Sequence, residues 1–275
     1  MSDNYSWYNG RVAPSNEIRI SPDDLGFLRA YGLFDYFRTY NKKPFQWDWY
    51  WQRFETSAAL LHIPLPINKE EAKSIIDELI HFSNKSEMAF RFVLTGGDAL
   101  DSSTMISPNL LIRCEDVPLL NPKTYQTGIS IITHRYTRDM PEIKSTDYKR
   151  VLSLQSEIKK SKAVDVLYHT DSSISEMSRS NVFIVKKGKV KTAKKGVLKG
   201  ITRKTVLALA KPDIDIEETS ISLRELFNAD EVFTTSTNKK VLGITKIDGR
   251  QIANGQVGSV TKELYTRFEK MTKNW

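Results

Sequence analysis

Cysteine is almost missing from this chain. Cys114 is the single one in 275 residues. No intrachain disulfide can form, which suits a reducing cytoplasm. Cys114 lies in the apolar run NLLIRCEDV and reads as core, not as a nucleophile. No zinc-knuckle spacing occurs, and no metal is expected. No apolar run approaches the roughly 20 residues that a membrane helix requires, so no membrane partner is expected. The opening MSDNYSWYNGRV lacks a basic stretch followed by an apolar one, the mark of a secretory leader. There is no repeat and no low-complexity segment.

What is present is an ordinary globular balance, 40% hydrophobic and 27% charged, with length enough for two domains. The formal net charge is +8, which could serve nucleic acid. The lysines, however, are spread from Lys42 to Lys273 with only short pairs such as Lys159–Lys160 and Lys194–Lys195. With no basic stripe and no aromatic RNA-binding signature, they read as solvated surface charge, and no nucleic acid is expected. A modest attraction for anionic small molecules is what such a balance supplies.

Hydrophobic periodicity and turn residues order the chain. Residues 5–20 read as a hairpin turning at Asn9-Gly10. GLFDYFRTY, 32–40, reads as a strand, with FQW returning after a turn. Asp48 is placed to cap a helix over 49–61 that Pro64 and Pro66 stop. Asn68 and Glu71 frame a second helix with Ala72, Ile75, Ile76, Leu79 and Ile80 as its stripe. Strands follow at 88–95 and 109–114, with 96–108 as a loop. A Pro-bearing stretch at 118–122 reads as a linker between domains 1–117 and 123–275. The second half reads as a strand at 128–136, a helix over 148–162, a strand at 164–169 and a hairpin around Lys187-Gly188. Then come a helix over 201–210 stopped by Pro212, a short helix at 221–227, strands at 231–235 and 241–247 and a final helix at 257–272. The mixture indicates an α+β (mixed α/β) protein in two domains.

Three segments carry chemistry: EIKSTDYKR at 142–150, SEMSRSNVF at 175–183 and LKGITR at 198–203. The first offers Lys144 ahead of a helix. The second puts Glu176 ahead of an apolar strand. The third opens a helix at Gly200-Ile201-Thr202. A lysine can form a Schiff base with an aldehyde, a carboxylate can keep a pyridine nitrogen protonated, and a helix start can bind phosphate. Together these are the requirements of pyridoxal 5'-phosphate. Taken singly, Lys144 is a surface charge, Glu176 a solvated carboxylate and Gly200 an ordinary helix start; order and spacing join them.

In these motifs the chain resembles the class IV aminotransferases, the group of branched-chain and D-amino acid aminotransferases and 4-amino-4-deoxychorismate lyases. The family pattern K-x-x-N-Y is similar to Lys144 through Tyr148, with Asp147 for asparagine. A glutamate ahead of S-x-x-N-[IV]-F is matched by Glu176 and Ser178 to Phe183. L-x-G-I-T-R is matched by Leu198 to Arg203, and T-S-T by Thr235, Ser236 and Thr237. Nearer the start, G-V-F-E-x-x-R resembles Gly32 to Arg38, and H-x-x-R-L-x-x-S-A resembles Tyr50 to Ala58.

The resemblance implies an N-terminal α/β sandwich, a C-terminal pseudo-barrel and a homodimer, with residues 28–38 and 96–108 as candidates for the wall that loops help to close. It implies Lys144 as the catalytic, Schiff-base lysine. Tyr148 would lie beside the cofactor's phenolic oxygen and Glu176 at its ring nitrogen. Arg53, Gly200, Ile201, Thr202, Ser236 and Thr237 would hold the phosphate. Tyr31, Arg91 and Asn238 are the candidates for substrate contact.

The sequence departs from the family at Tyr50, where a histidine is usual, and at Ala89-Phe90-Arg91, which keeps only the arginine of Y-x-R. It departs again at Asp35, where the lyases often carry threonine, and at Asn238-Lys239-Lys240. The last two cations either favour an anionic substrate or face solvent. The expected function is amino transfer between a small amino acid and a 2-oxo acid. A lyase of the same family and a non-catalytic anion- or nucleic-acid-binding protein are the competing readings.

Overall fold

The computed structural model describes residues 4–83, 85–101, 103–211 and 213–275. Pro212, expected to stop a helix, lies outside them. The chain divides into two compact units. The first comprises the chain up to Val117, the segment Ile143–Tyr148 and Trp275; the second comprises Pro118–Glu142 and Lys149–Asn274. The sequence reading assigned 143–148 to the second domain. Backbone hydrogen bonds to a strand of the first unit draw that hexapeptide across.

The first unit contains β1 (Tyr5–Tyr8), β2 (Arg11–Pro14), α1 (Leu25–Arg29), β3 (Gly32–Tyr40) and β4 (Lys43–Pro44). It continues with α2 (Trp47–Leu60), α3 (Lys69–Ser83), β5 (Ala89–Ala99) and β6 (Met105–Glu115). The strands form one antiparallel sheet in the order β2-β1-β6-β5-β3-β4. Asn9-Gly10 turns the first hairpin with both residues at positive φ, as a type I′ turn demands. One sheet face is aromatic. Phe37 lies with its ring centroid 5.4 Å from Phe90, 5.5 Å from Phe92 and 5.5 Å from Tyr50. Phe54 of α2 meets Phe92 edge-on. Cys114 is buried, and burial pushes its thiol up to about 11, so it stays protonated as a core residue.

Two local readings shift. α2 begins at Trp47 behind Gln46 in the left-handed region; Asp48 is a first-turn residue that pairs with Lys69 rather than the cap. The expected loop 96–108 is largely strand, because β5 and β6 run on past Thr95 through irregular pairing at Asp98 and Ala99. α1 was not anticipated; buried Asp24 caps it by accepting from the Gly26 amide.

The second unit contains α4 (Pro122–Thr127), β7 (Ile129–Arg135), α5 (Lys149–Ser153), α6 (Gln155–Lys160), β8 (Val166–His169), β9 (Ile174–Met177), β10 (Asn181–Lys186) and β11 (Lys189–Ala193). It ends with α7 (Ile201–Ala210), β12 (Ile216–Thr219), α8 (Leu223–Phe227), β13 (Glu231–Ser236), β14 (Lys240–Ile247), β15 (Arg250–Gln251) and α9 (Ser259–Lys273). The strand order is β12-β11-β10-β13-β14-β7-β8-β9, with β15 paired to β14. The path curls back on itself: β9 leads through a tight turn, in which the Met177 amide donates to the Ser180 carbonyl, directly into β10. This curl is the pseudo-barrel. Its interior holds Ile131, Leu167, Met177, Val182, Ile184, Val232 and Leu242. The opposite face of β10 and β13 stacks Phe183 on Phe233 at 4.7 Å beneath α7 and α9. Glu231 reaches from β13 to the start of α9, accepting from the Val260 and Thr261 amides and the Thr261 hydroxyl. The Asn121-Pro122 end of the expected linker is instead the cap and first residue of α4. The expected single helix at 148–162 is broken into α5 and α6 at Leu154.

Candidate active site

Lys144 is positioned by the edge of β3. The Phe34 amide donates to the Lys144 carbonyl at 2.8 Å, and the Thr146 amide donates to the Gly32 carbonyl at 3.0 Å. Leu33 pairs with Ser145. Thr146 Oγ1 adds bonds to the carbonyls of Ala30 and Gly32. A strand-like clamp of this kind fixes the backbone from which the amine projects. The Lys144 amine lies 4.5 Å above the Phe34 ring. Tyr148 meets the same ring edge-on at 5.7 Å. The Arg91 guanidinium stands 5.0 Å from the Tyr36 ring and 5.7 Å from Phe34. The first unit thus gathers Lys144, Tyr148 and Arg91 around one aromatic pair. Arg53 sits on α2 in a two-point ion pair with buried Asp35, at 2.9 and 2.6 Å. Tyr31 does not join this group by its hydroxyl, which donates to the Leu61 carbonyl.

In the second unit Glu176 lies ahead of the apolar strand β10, as expected, and is itself buried on a further strand, β9. Its Oε1 accepts from Arg138 Nη1 at 2.5 Å, and its Oε2 accepts from the Leu198 amide at 3.0 Å and weakly from Asn181 Nδ2 at 3.4 Å. Asn181 Nδ2 also donates to the Leu198 carbonyl at 2.8 Å. One carboxylate and one amide therefore fix the path into α7. A Cβ on Gly200 would meet Asn181 Oδ1 at 2.2 Å, so a larger residue would push Asn181 off its hydrogen bonds. Arg203, the last residue of LKGITR, is buried and structural: it donates to the Ala193 carbonyl and pairs with Glu218.

These features test whether pyridoxal phosphate fits. No side chain caps the N-terminus of α7, which spans ten residues. Its leading amides, from Ile201 and Thr202 onward, are the donors a helix cannot use itself. Thr235 stands directly opposite Asn181 in the β10–β13 register, so their side chains share a face. Thr235 Oγ1 is buried with no hydrogen-bond partner among the described residues. An unsatisfied buried hydroxyl beside an uncapped helix start suits an anionic acceptor. Ser236, Thr237 and Asn238 continue from there, with the Lys239 amide donating to Ser236 Oγ. The donor set fits the phosphate, and the carboxylate fits the ring.

The lysines after Thr237 neither await an anion nor face solvent. Lys239 Nζ donates to Asp165 Oδ2 at 2.7 Å, and Lys240 pairs with Glu269. Asp165 is 1% exposed and also accepts from the Ser178 hydroxyl and the Val166 amide. Burial pushes this carboxyl up, but the Lys239 ammonium and the two hydrogen bonds outweigh it, and it titrates below its ordinary value. Arg138, the ion-pair partner of Glu176, is not marked in the sequence. It sits in a loop with no motif or periodicity to mark it.

Residues 32–247 match the model of the family described as amino-transferase class IV. A protein of Methanocaldococcus jannaschii, provisionally named a branched-chain-amino-acid aminotransferase, is 31% identical over 98% of this chain and 96% of its own length. The D-alanine aminotransferase of Listeria innocua is 29% identical over 94% of this chain and 93% of its own. The crystal structure of the T.th. branched-chain amino acid aminotransferase with pyridoxamine 5'-phosphate superimposes with a TM-score of 0.92, at 23% identity, over 99% of this chain and 95% of that one. The chain belongs to the class IV aminotransferase family. It is a pyridoxal phosphate-dependent aminotransferase.

Replacing Lys239 by methionine leaves the Asp165 carboxylate buried without its cation. Stability at neutral pH is expected to fall by about 3 kcal/mol, the usual result of breaking a buried ion pair. The folded carboxyl of the wild type titrates low, so its contribution is present above the unfolded carboxylate range and lost as pH drops through the folded value. In the variant, protonation relieves the stranded charge, so the deficit shrinks towards about pH 4. Thermal unfolding across pH checks this; a deficit independent of pH would refute it.

Proposed function

We propose that the protein moves the amino group of a small amino acid to a 2-oxo acid with Lys144 as its catalytic amine. The observation that carries this is the clamp of residues 144–146 on the edge of β3, which holds the lysine against Phe34. The cofactor, when bound, supplies an aldehyde that takes an amine and a ring that accepts electrons. Lys144 is the residue to hold that aldehyde and, once a substrate amine has displaced it, to take the proton from the substrate's Cα. Glu176 sets a negative charge where the ring nitrogen would sit. Arg138, the Leu198 amide and Asn181 hold that carboxylate in one orientation. Ile201 and Thr202 offer amides to the phosphate from the start made possible by Gly200, and Thr235, Ser236 and Thr237 offer hydroxyls. Arg53 offers its guanidinium, already half neutralised by Asp35. Tyr148 would stand beside the phenolic oxygen. Tyr31, Arg91 and Asn238 remain the candidates for substrate contact.

The named relatives act on branched-chain amino acids and D-alanine, and we assign the same class, small amino acids with uncharged side chains, to this enzyme. The lyase and binding-protein readings have no observation in their favour. A homodimer in the cytoplasm is our reading of its assembly and place. The first unit supports a second copy: Phe27 and Leu100 are each 77% exposed and Ile106 62%. An adjoining cavity of about 510 Å³ is lined by Ile20, Phe27, Val93 and Leu111.

Borohydride reduction of the protein incubated with pyridoxal phosphate, followed by peptide mapping, is expected to put the label on Lys144. Label on Lys149 instead would overturn the assignment. In a separate experiment, Glu176→Gln is expected to retain the cofactor but lose turnover on the order of a hundredfold, because the amide carries no charge for the ring. It also strands Arg138, so thermal stability should fall by about 2 kcal/mol or more. Near wild-type turnover would make Glu176 purely structural.

A further inference from the structure

The Phe34 ring carries two cations, the Lys144 amine at 4.5 Å and the Arg91 guanidinium at 5.7 Å. Two cations on one ring are at most about 10 Å apart, a span that the far carboxylate of a dicarboxylic substrate held at Lys144 can bridge. Left to itself, such an arginine would select a second carboxylate. It is not left to itself. Arg91 Nε donates to Glu115 Oε1 at 2.6 Å, and Arg91 Nη2 donates to Oε2 at 3.1 Å. The pairing register sets Ala89 opposite Glu115 and Arg91 opposite Arg113, so the ion pair spans the diagonal between β5 and β6. Arg113 leans on the same carboxylate from 3.8 Å. The Glu115 side chain is 18% exposed and that of Arg91 36%, so solvent screens the pair only in part.

We propose that Glu115 is a specificity-determining residue, which occupies Arg91 and so favours substrates with uncharged side chains over dicarboxylates. Two effects act together. The guanidinium must share or release Glu115 to take a substrate carboxylate. The negative charge of Glu115 also repels that carboxylate as it approaches. An uncharged side chain disturbs neither, and meets the rings of Phe34 and Tyr36. This inference rests on the reading of Lys144 as the catalytic amine of an aminotransferase.

Two achiral acceptors of equal length, 2-oxoglutarate and 2-oxopentanoate, separate the effects. The holoenzyme is assayed with whichever amino donor it accepts, as wild type, Glu115→Gln and Glu115→Asp. The ratio of kcat/KM for the dicarboxylate over the monocarboxylate is expected to rise at least about tenfold in Glu115→Gln, because a charge-assisted contact becomes available. It should stay within roughly threefold of wild type in Glu115→Asp, which keeps the charge. Calorimetric titration with glutarate and pentanoate gives the same comparison without turnover: relative affinity for glutarate should rise by a similar factor. Should Glu115→Gln fail to fold, Glu115→Met takes its place. An unchanged or lowered ratio in both assays overturns the proposal. A wild type that transaminates nothing overturns the aminotransferase reading, and the titration still decides the role of Glu115.

Discussion

The buried carboxylate of Glu176 is the constraint on which the second unit's site depends. It lies on β9, where the curling sheet hands over to β10, and it collects the Arg138 guanidinium and the Leu198 amide. Through Asn181 it also fixes the carbonyl of Leu198. The carboxylate thereby sets the approach to α7, whose first amides have no side-chain cap. Gly200 is confined by the same asparagine. Glu176, Asn181 and the Leu198 backbone thus form one hydrogen-bonded object that joins β9, β10 and the start of α7.

Charge is managed in the same way elsewhere. A buried ion costs several kcal/mol unless a counter-charge or hydrogen bonds compensate it, and each buried carboxylate described above has one or the other. Asp165 has Lys239, Asp35 has Arg53, and Glu231 takes the first amides of α9. The lysine pair after Thr237 belongs to this scheme. Its departure from the family pattern reports on scaffolding and leaves the choice of substrate to other residues. Arg91 differs in being more exposed and in sharing the Phe34 ring with Lys144. Its pairing with Glu115 reads as a setting of specificity rather than of stability.

Much of this was legible in the chain itself. Turn chemistry marked the hairpins, because Asn9-Gly10 and Lys187-Gly188 take up positive φ where a two-residue turn requires it. Apolar spacing marked α3, whose buried face is Ala72, Ile75, Ile76 and Leu79. Signals failed where an element depends on a distant partner. The 96–108 stretch holds glycines and polar residues that read as loop, yet β5 and β6 extend through it by pairing with each other. Asp48 looks like a cap, but the helix starts earlier, with Trp47 and Trp51 in contact.

The sequence by itself determined the family and the cofactor, because those follow from residue types at short, fixed spacings. It also determined that the lone cysteine is core, since its neighbours are apolar. Only the tertiary structure decided that residues 143–148 pair with the first unit's sheet, that Glu176 is held by Arg138, and that Lys239 serves a buried aspartate. The same holds for the pairing of Arg91 with Glu115 across two strands. Each of these depends on contacts between residues tens of positions apart. Local propensity and periodicity carry no information about such contacts, because they arise only when packing and strand register bring the partners together.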